Sequence, residues 1–190
     1  MSEWTRVKWS EARQILAILD WPEDEAGPHA SARPKTYFDA LREAGRLPEA
    51  ASYLGQALPR LEAVAWAARS VQQLRENAPS RGPEADALKA TLLWLQDPTE
   101  NRRRAAFEAA EQCKADSAER MAAMAAFFSG GSIAPLDCPP VPAPRDTAGR
   151  FAAGAVVVAS AATGDLQASL QHCLDAGEAL ATSGVAGAIA

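Results

Sequence analysis

Apolar residues recur at steps of three and four along most of this chain, which is the spacing of helices that bury one face. The pattern is clearest in the segment from Pro59 to about Glu76, where it is carried by Leu58, Leu61, Val64, Ala65, Ala68, Val71 and Leu74. A second stripe follows between Glu84 and Gln96, formed by Ala85, Leu88, Leu92 and Leu95. The pattern therefore predicts an all-α protein in which helices pack on helices.

Proline, glycine and capping residues divide the rest of the chain into segments. They predict about eight helices, over residues 4–19, 35–44, 59–76, 84–96, 97–114, 116–128, 147–162 and 165–183, with a short further one over 48–54. The run from Val156 to Val158 has the composition of a strand, but alanines on both sides favour a buried helix. Both interpretations of this run stay open.

Three polar positions are predicted to cap helices. Asp97 is placed to accept hydrogen bonds from the first free amides, Pro98 to occupy the first helical position, and Glu100 to complete a capping box. The residues from Asp116 to Glu119 repeat this pattern. Asp165 is the predicted cap of the last helix.

Two proline-rich stretches shape the domain organisation. Residues 22–34 form a polar loop that we expect to be mobile, so residues 1–34 are interpreted as an N-terminal helix with a mobile loop. Residues 35–190 then form one helical domain. Within it, residues 133–146 contain five prolines and predict an extended, polyproline-like tether before the two C-terminal helices.

Alanine makes up roughly a quarter of the chain, and it has the highest helix propensity while letting helix backbones approach closely. The formal net charge is −5, from 19 basic and 24 acidic residues. This balance argues against nucleic acid and against an anionic membrane as partners. The apolar stretch from Phe151 to Ala162 is too short to span a bilayer, which needs about 20 apolar residues.

Two local motifs admit alternative interpretations. The basic run from Arg102 to Arg104 is either a solvated helix face or a contact for a phosphate or a partner. The residues from Ser129 to Ser132 are either the glycine end of a helix or an anion-binding loop. The loop follows a helix and carries no lysine, which favours the helix end.

Cysteine and histidine usage predicts no metal, cofactor or catalytic site. The three cysteines, Cys113, Cys138 and Cys173, are widely spaced and are expected to be free thiols. The two histidines are far apart, and no convergent ligand set or nucleophile motif is present. With no secretory signal at the N-terminus, a cytoplasmic location is predicted.

Two tryptophans lie away from the apolar stripes of their helices. On a helical wheel, Trp66 lies on the same side as Glu62 and Arg69. Trp94 lies opposite the leucine stripe of its own helix. Either these helices are covered on both sides by a second packing layer, or the tryptophans are exposed anchors for a partner protein. On the second interpretation, the partner-binding residues are Trp66, Trp94, Arg69 and Glu62.

Two blocks, Leu58–Ala67 and Met124–Pro135, resemble an uncharacterised bacterial family of small helical proteins, a domain of unknown function. The resemblance extends from about Tyr37 to Ala181. Members of that family tend to accompany genes for contractile (type VI) secretion machinery and its effectors. The resemblance implies an accessory or adaptor role and supplies no catalytic residue.

These observations predict a non-enzymatic protein-interaction module, such as an adaptor, chaperone or accessory factor. Its partner would be another protein, with a secretion-system component or effector as one candidate. The predicted binding surface is a groove between helices or the tryptophan-bearing side of the 58–76 and 84–96 helices. A self-associating structural subunit that pairs through its alanine-rich C-terminal helices is the alternative. An enzyme or anion-binding protein using the loop around residues 129–131 is a third.

Overall fold

Helices make up nearly all the regular structure of this protein, for which a computed structural model describes residues 3–187. There are nine α-helices and one short 3-10 helix in that range. The α-helices are α1 Ala12–Leu19, α2 Pro34–Glu43, α3 Leu47–Ala57, α4 Arg60–Leu74, α5 Pro83–Gln96, α6 Glu100–Glu111, α7 Ala118–Phe128, α8 Thr147–Ala161 and α9 Leu166–Gly187. The predicted all-α class is confirmed, and the Val156–Val158 run lies in α8, so the strand interpretation is wrong.

Helix α4 lies at the centre of the fold and packs against α5, α7, α8 and α9. Most of its residues are buried, and the small ones among them are Ala63, Ala65, Ala67, Ala68 and Ser70. Because these side chains are short, neighbouring helices can approach α4 on several sides at once. This explains how a chain with few aromatic residues builds a dense core.

Glycine allows still closer contact where α3 crosses α8. A Cβ atom built on Gly55 would lie 2.5 Å from the carbonyl oxygen of Gly149, and one built on Gly149 would lie 2.5 Å from the carbonyl oxygen of Gly55. Gly177 does the same for α9, where a Cβ atom would lie 2.8 Å from the indole nitrogen of Trp66. Only glycine fits these crossings without movement of the backbone or of a buried ring.

The N-terminal segment differs from the predicted helix over residues 4–19. Helix α1 begins only at Ala12, because the Gln14 side chain accepts hydrogen bonds from the backbone amides of Ser10 and Glu11 and so closes a capping box there. The residues before Ser10 run along α9, where the amide of Arg6 donates to the carbonyl of Ala181 at 2.9 Å.

The loop predicted over residues 22–34 contains the 3-10 helix Glu23–His29, which the sequence pattern did not predict. Ala26 of this helix is buried. The amide of Arg13 donates to the carbonyl of Ala30, which fixes the loop to the start of α1. One hydrophobic core runs from α1 to α9, so the N-terminal residues and the helical domain pack together. The last residues of the predicted 35–190 domain lie outside the described range.

The structure confirms one of the predicted helix caps and places the others at different residues. Thr99, not Asp97, occupies the cap position of α6, and the prediction for Asp97 is wrong. The Glu100 carboxylate binds Arg103 and Arg104 instead of the cap amide, because two guanidinium groups offer stronger, charge-assisted hydrogen bonds. The pattern over Asp116–Glu119 predicts a cap at Asp116, but the cap residue of α7 is Ser117, whose side chain accepts from the amide of Arg120. Asp165 caps α9 as predicted, accepting from the amide of Ala168 at 3.0 Å.

Candidate functional site, a cationic cleft

The tryptophans predicted as possible anchors are both in the core. Trp66 is 1% exposed, and its indole nitrogen donates to the carbonyl of Cys173 at 2.7 Å. Trp94 is 5% exposed. The packing-layer interpretation is therefore confirmed, and the interpretation that these rings face a partner is corrected. The physical reason is that α9 covers the side of α4 that carries Trp66.

The two charged residues predicted beside Trp66 do not form a surface with it. Glu62 is buried, and its carboxylate is bound by Arg6 of the N-terminal segment at 3.4 Å. Arg69 is half-buried on the same helix. Neither residue is brought together with Trp94 to form an exposed patch.

The basic run on α6 forms an internal clamp. Arg103 is 3% exposed and donates to Glu100 and to the carbonyls of Phe127 and Ser132, while its guanidinium lies 4.6 Å from the centroid of the Phe127 ring. Arg104 donates to the carbonyl of Ala134 at 3.0 Å. For Arg103, the prediction of a solvated helix face is wrong. We call Glu100, Arg103 and Arg104 the arginine clamp.

The glycine loop that the clamp holds has the geometry of a helix end. Ser129 is the C-cap residue of α7, and Gly131 adopts the left-handed conformation with φ of +65°. Arg60 also donates to the carbonyl of Ser129, at 2.9 Å. The loop thus offers carbonyl oxygens to arginines of its own chain.

A different set of residues forms a cleft of about 680 Å³ where the N-terminal segment, the turn between α3 and α4, and the start of α8 meet. Its apolar lining includes Ala57, Leu58, Pro59 and Ala63 from the α3–α4 turn and its helix ends, Ala148 from α8, and Trp9 and Ile18. Its polar lining includes three cations, Lys8, Arg60 and Arg145. We call this feature the cationic cleft.

The charge of the cationic cleft is of one sign. Lys8, Arg60 and Arg145 are exposed, and within residues 3–187 none of the three has a carboxylate partner within 4.0 Å. None of the residues that line this cleft carries a carboxylate. Helix α4 starts here without a side-chain cap, so its positive end adds to the field of the cations.

Hydrogen bonds between elements hold the walls of the cleft. The Gln56 side chain donates to the carbonyl of Asp146 at 2.7 Å, which joins the end of α3 to the start of α8. The indole nitrogen of Trp9 donates to the carbonyl of Gln56 at 3.1 Å, which fixes the N-terminal segment. A neighbouring cavity of about 400 Å³ shares Trp9, Gln14, Ile18 and Arg145 with the cleft. It is also lined by Asp146, whose carboxylate pairs with Arg150 at 2.6 Å.

Sequence reasoning missed this cleft because its cations are far apart in the chain. The one local signal is that Arg60 follows Pro59 and Arg145 follows Pro144, so both arginines sit just after a proline near the start of a helix. That signal does not show that these two helix starts meet. Only the close crossing of α3 and α8 brings them together.

A second opening lies between α4 and α5, the two helices whose tryptophan-bearing side was one predicted binding surface. It has a volume of about 510 Å³, and its lining combines Leu88, Leu92 and Leu93 with polar and charged side chains, among them Arg75, Glu76 and Lys89. Leu93 is 40% exposed there. The charged residues that line this α4–α5 groove are of both signs, so the groove does not favour a ligand of one charge as the cationic cleft does.

The described residues contain no cluster of three or more histidine, cysteine or acidic side chains placed to hold a metal ion. Burial raises the pKa of the Cys173 thiol, and burial together with Glu84 raises that of Cys113. Both thiols are therefore protonated near neutral pH and are weak nucleophiles. Within residues 3–187, no helix combines the length and apolar character that crossing a membrane requires.

Residues 37–181 match the sequence model of a family of unknown function, DUF6931. No curated protein and no solved structure gives a significant match to the chain. Arg60 and Arg145 lie inside the matched range, whereas Lys8 and Trp9 lie outside it.

Proposed function

The chain belongs to DUF6931, a family of unknown function, and from the cationic cleft we propose that it is a non-enzymatic protein-interaction module that binds an acidic segment of a partner protein. The observation that carries the proposal is the convergence of Lys8, Arg60 and Arg145 in one cleft that has no lining carboxylate. The charge and the shape of the cleft each restrict the ligand that it can take.

The sign of the ligand's charge follows from the setting of the cleft. The whole chain has a net charge of −5. The three cations of the cleft, which have no acidic partners, therefore give it a local charge opposite in sign to that of the whole chain. Exposed cations that lack ionic partners can pair with an incoming anion without first breaking a salt bridge. An acidic ligand is therefore favoured over a basic or neutral one.

The shape of the cleft favours a chain segment over a small anion. Its cations come from three separate elements, and its lining also includes apolar side chains such as Leu58 and Pro59. The cleft also continues into the neighbouring cavity beyond Trp9 and Ile18. A peptide that alternates acidic and apolar side chains would contact both the cations and the apolar lining, whereas a free phosphate would contact only the cations.

We further propose that the module has an accessory or adaptor role in type VI secretion and that its partner is a component or effector of that machinery. This proposal rests on the resemblance carried by the Leu58–Ala67 and Met124–Pro135 blocks. The first block contributes Leu58, Pro59, Arg60 and Ala63 to the cleft. Residues of the block that carries the resemblance therefore also line the proposed site.

Fluorescence anisotropy with a short labelled peptide of glutamate, leucine and glycine tests the proposal. We expect saturable binding that weakens as salt is added, because exposed charge pairs are screened. We expect R60E/R145E and the single variant K8E to weaken binding about tenfold or more through like-charge repulsion. Within the described residues the Lys8 side chain makes no hydrogen bond, so the K8E change breaks none.

The matched control is R81E, which makes the same charge change at an exposed arginine away from the cleft. It should bind as the unaltered protein does. Equal binding by the unaltered protein and by K8E would refute the proposal. Displacement of the peptide by inorganic phosphate or by a single-stranded oligonucleotide at equal concentration would refute it as well, since either result means that the site recognises phosphate.

A further inference from the structure

The segment Cys138–Arg145, which we call the proline segment, is exposed along most of its length. The run from Pro135 to Pro142 is exposed at every residue, and Pro144 and Arg145 are exposed beyond it. Leu136 at the tip of the same loop is 79% exposed and Val141 is 47% exposed. These residues carry apolar surface that the described part of the fold does not cover.

The backbone of the proline segment is biased toward polyproline II geometry by its sequence. Proline fixes its own φ angle, and each residue that precedes a proline is pushed away from the helical region. Pro139, Val141 and Ala143 all precede a proline. Because the polyproline II helix has three residues per turn, this geometry would place Pro139 and Pro142 on one face of the segment. Pro142 also pairs with Ser132 in an isolated antiparallel bridge.

The fold also holds both ends of this loop in place. The amide of Ile133 donates to the carbonyl of Val141 at 2.8 Å, and the Ser132 hydroxyl accepts from the amide of Val141 at 3.0 Å. Arg103 and Arg104 of the arginine clamp bind the carbonyls of Ser132 and Ala134. An extended segment that is already held in shape loses little conformational entropy when it binds.

We propose that the proline segment is a docking ligand for a partner domain whose groove is lined by aromatic side chains and flanked by a carboxylate. Aromatic grooves recognise two prolines at this spacing on one face of a polyproline II helix. The flanking carboxylate is inferred from Arg145, which follows the last proline and has no ionic partner within the described residues. The cleft binds an acidic segment, whereas the proline segment is itself bound. Arg145 belongs to both surfaces, so the two partners would compete for this side chain.

An array of isolated SH3 and WW domains, two domain types with aromatic grooves for proline ligands, tests this inference with the full chain labelled at its N-terminal amine. We expect a subset of domains with acidic residues beside the groove to bind the chain. We expect the P139A/P142A variant to lose that binding by about tenfold or more. Circular dichroism of each variant checks that the helical fold is retained.

P135A is the matched control, because it removes an exposed proline of the same loop that lies outside the Pro139–Pro142 pair. It should bind as the unaltered chain does. Failure of every domain in the array to bind, or undiminished binding by P139A/P142A, would overturn the inference. The K8E variant separates the two proposals, since it should weaken peptide binding in the cleft and leave binding through the proline segment unchanged.

Discussion

At the scale of single residues, Arg103 shows how a charged side chain can be part of the core. It is buried because Glu100 balances its charge while the carbonyls of Phe127 and Ser132 take up its other donors. A buried guanidinium with its donors satisfied in this way is costly to disrupt, since its partners are then left unpaired. The clamp also sets the position of the loop that carries the proline segment.

We predict that R103A destabilises the protein by about 2–4 kcal/mol, because it leaves buried carbonyls without donors. R103K should also destabilise it, since a single ammonium group cannot make the forked contact with Glu100. Urea unfolding followed by circular dichroism measures both. The exposed R81A control should change the free energy of unfolding by less than about 0.5 kcal/mol, and an R103A variant as stable as R81A would contradict the role of the clamp.

The arginine clamp should also make the free energy of unfolding depend on pH. Hydrogen bonds from Arg103 lower the pKa of Glu100 below its ordinary value of 4.5. The carboxylate therefore adds stability above that value, and this contribution is lost as the pH falls through the lowered pKa of the folded state.

We predict that the unaltered protein is more stable than E100Q near neutral pH and that the difference shrinks as the pH is lowered below 4.5. Urea midpoints of both proteins across an acidic pH series measure it. A difference that stays constant throughout the series would show that the charge of Glu100 does not contribute.

At the scale of helices, small residues at crossings determine how the elements pack. The α3–α8 crossing depends on Gly55 and Gly149, whose backbones touch, and it brings the ends of those helices together to form one side of the cationic cleft. Packing and site formation therefore depend on the same contact.

We predict that G149A lowers the free energy of unfolding by about 1–3 kcal/mol, because its new methyl group would overlap the Gly55 carbonyl and the Gln56 amide. G130A is the matched control, since a Cβ atom at Gly130 meets nothing within 4 Å. Thermal or urea unfolding compares them. Equal stability of G149A and the unaltered protein would mean that the crossing is looser than the structure shows.

Local signals were enough to predict most helices of this fold, and non-local contacts explain what they missed. The Pro59-to-Glu76 stripe predicted α4 because its period is a property of neighbouring residues. The burial of Trp66 could not be decided from its wheel position, because it depends on α9 covering a second side of α4. The cationic cleft was missed for the same reason, as its residues meet only through the α3–α8 crossing.

At the scale of the whole molecule, the alanine-rich helices bury their small residues within one chain. In α8, Ala148, Ala152, Ala155 and Ala159 are all at most 2% exposed. In α9, Leu170, Leu174 and Ala181 are likewise buried. The alternative of self-association through these helices would need surfaces that are already in use.

We therefore predict a monomer whose sedimentation coefficient does not change with protein concentration. Sedimentation velocity over a wide concentration series measures this directly. A shift toward a faster-sedimenting species as concentration rises would support the self-associating alternative instead.

The most direct test of the acidic-peptide site is an NMR titration of the ¹⁵N-labelled protein with the acidic peptide. We predict that chemical shifts change at the backbone amides of residues 56–58, 60–63 and 145–149 and at the indole of Trp9. K8E should require a higher peptide concentration for the same changes. Shift changes confined to the α4–α5 groove around Leu92, or none at any peptide concentration, would contradict the proposed site.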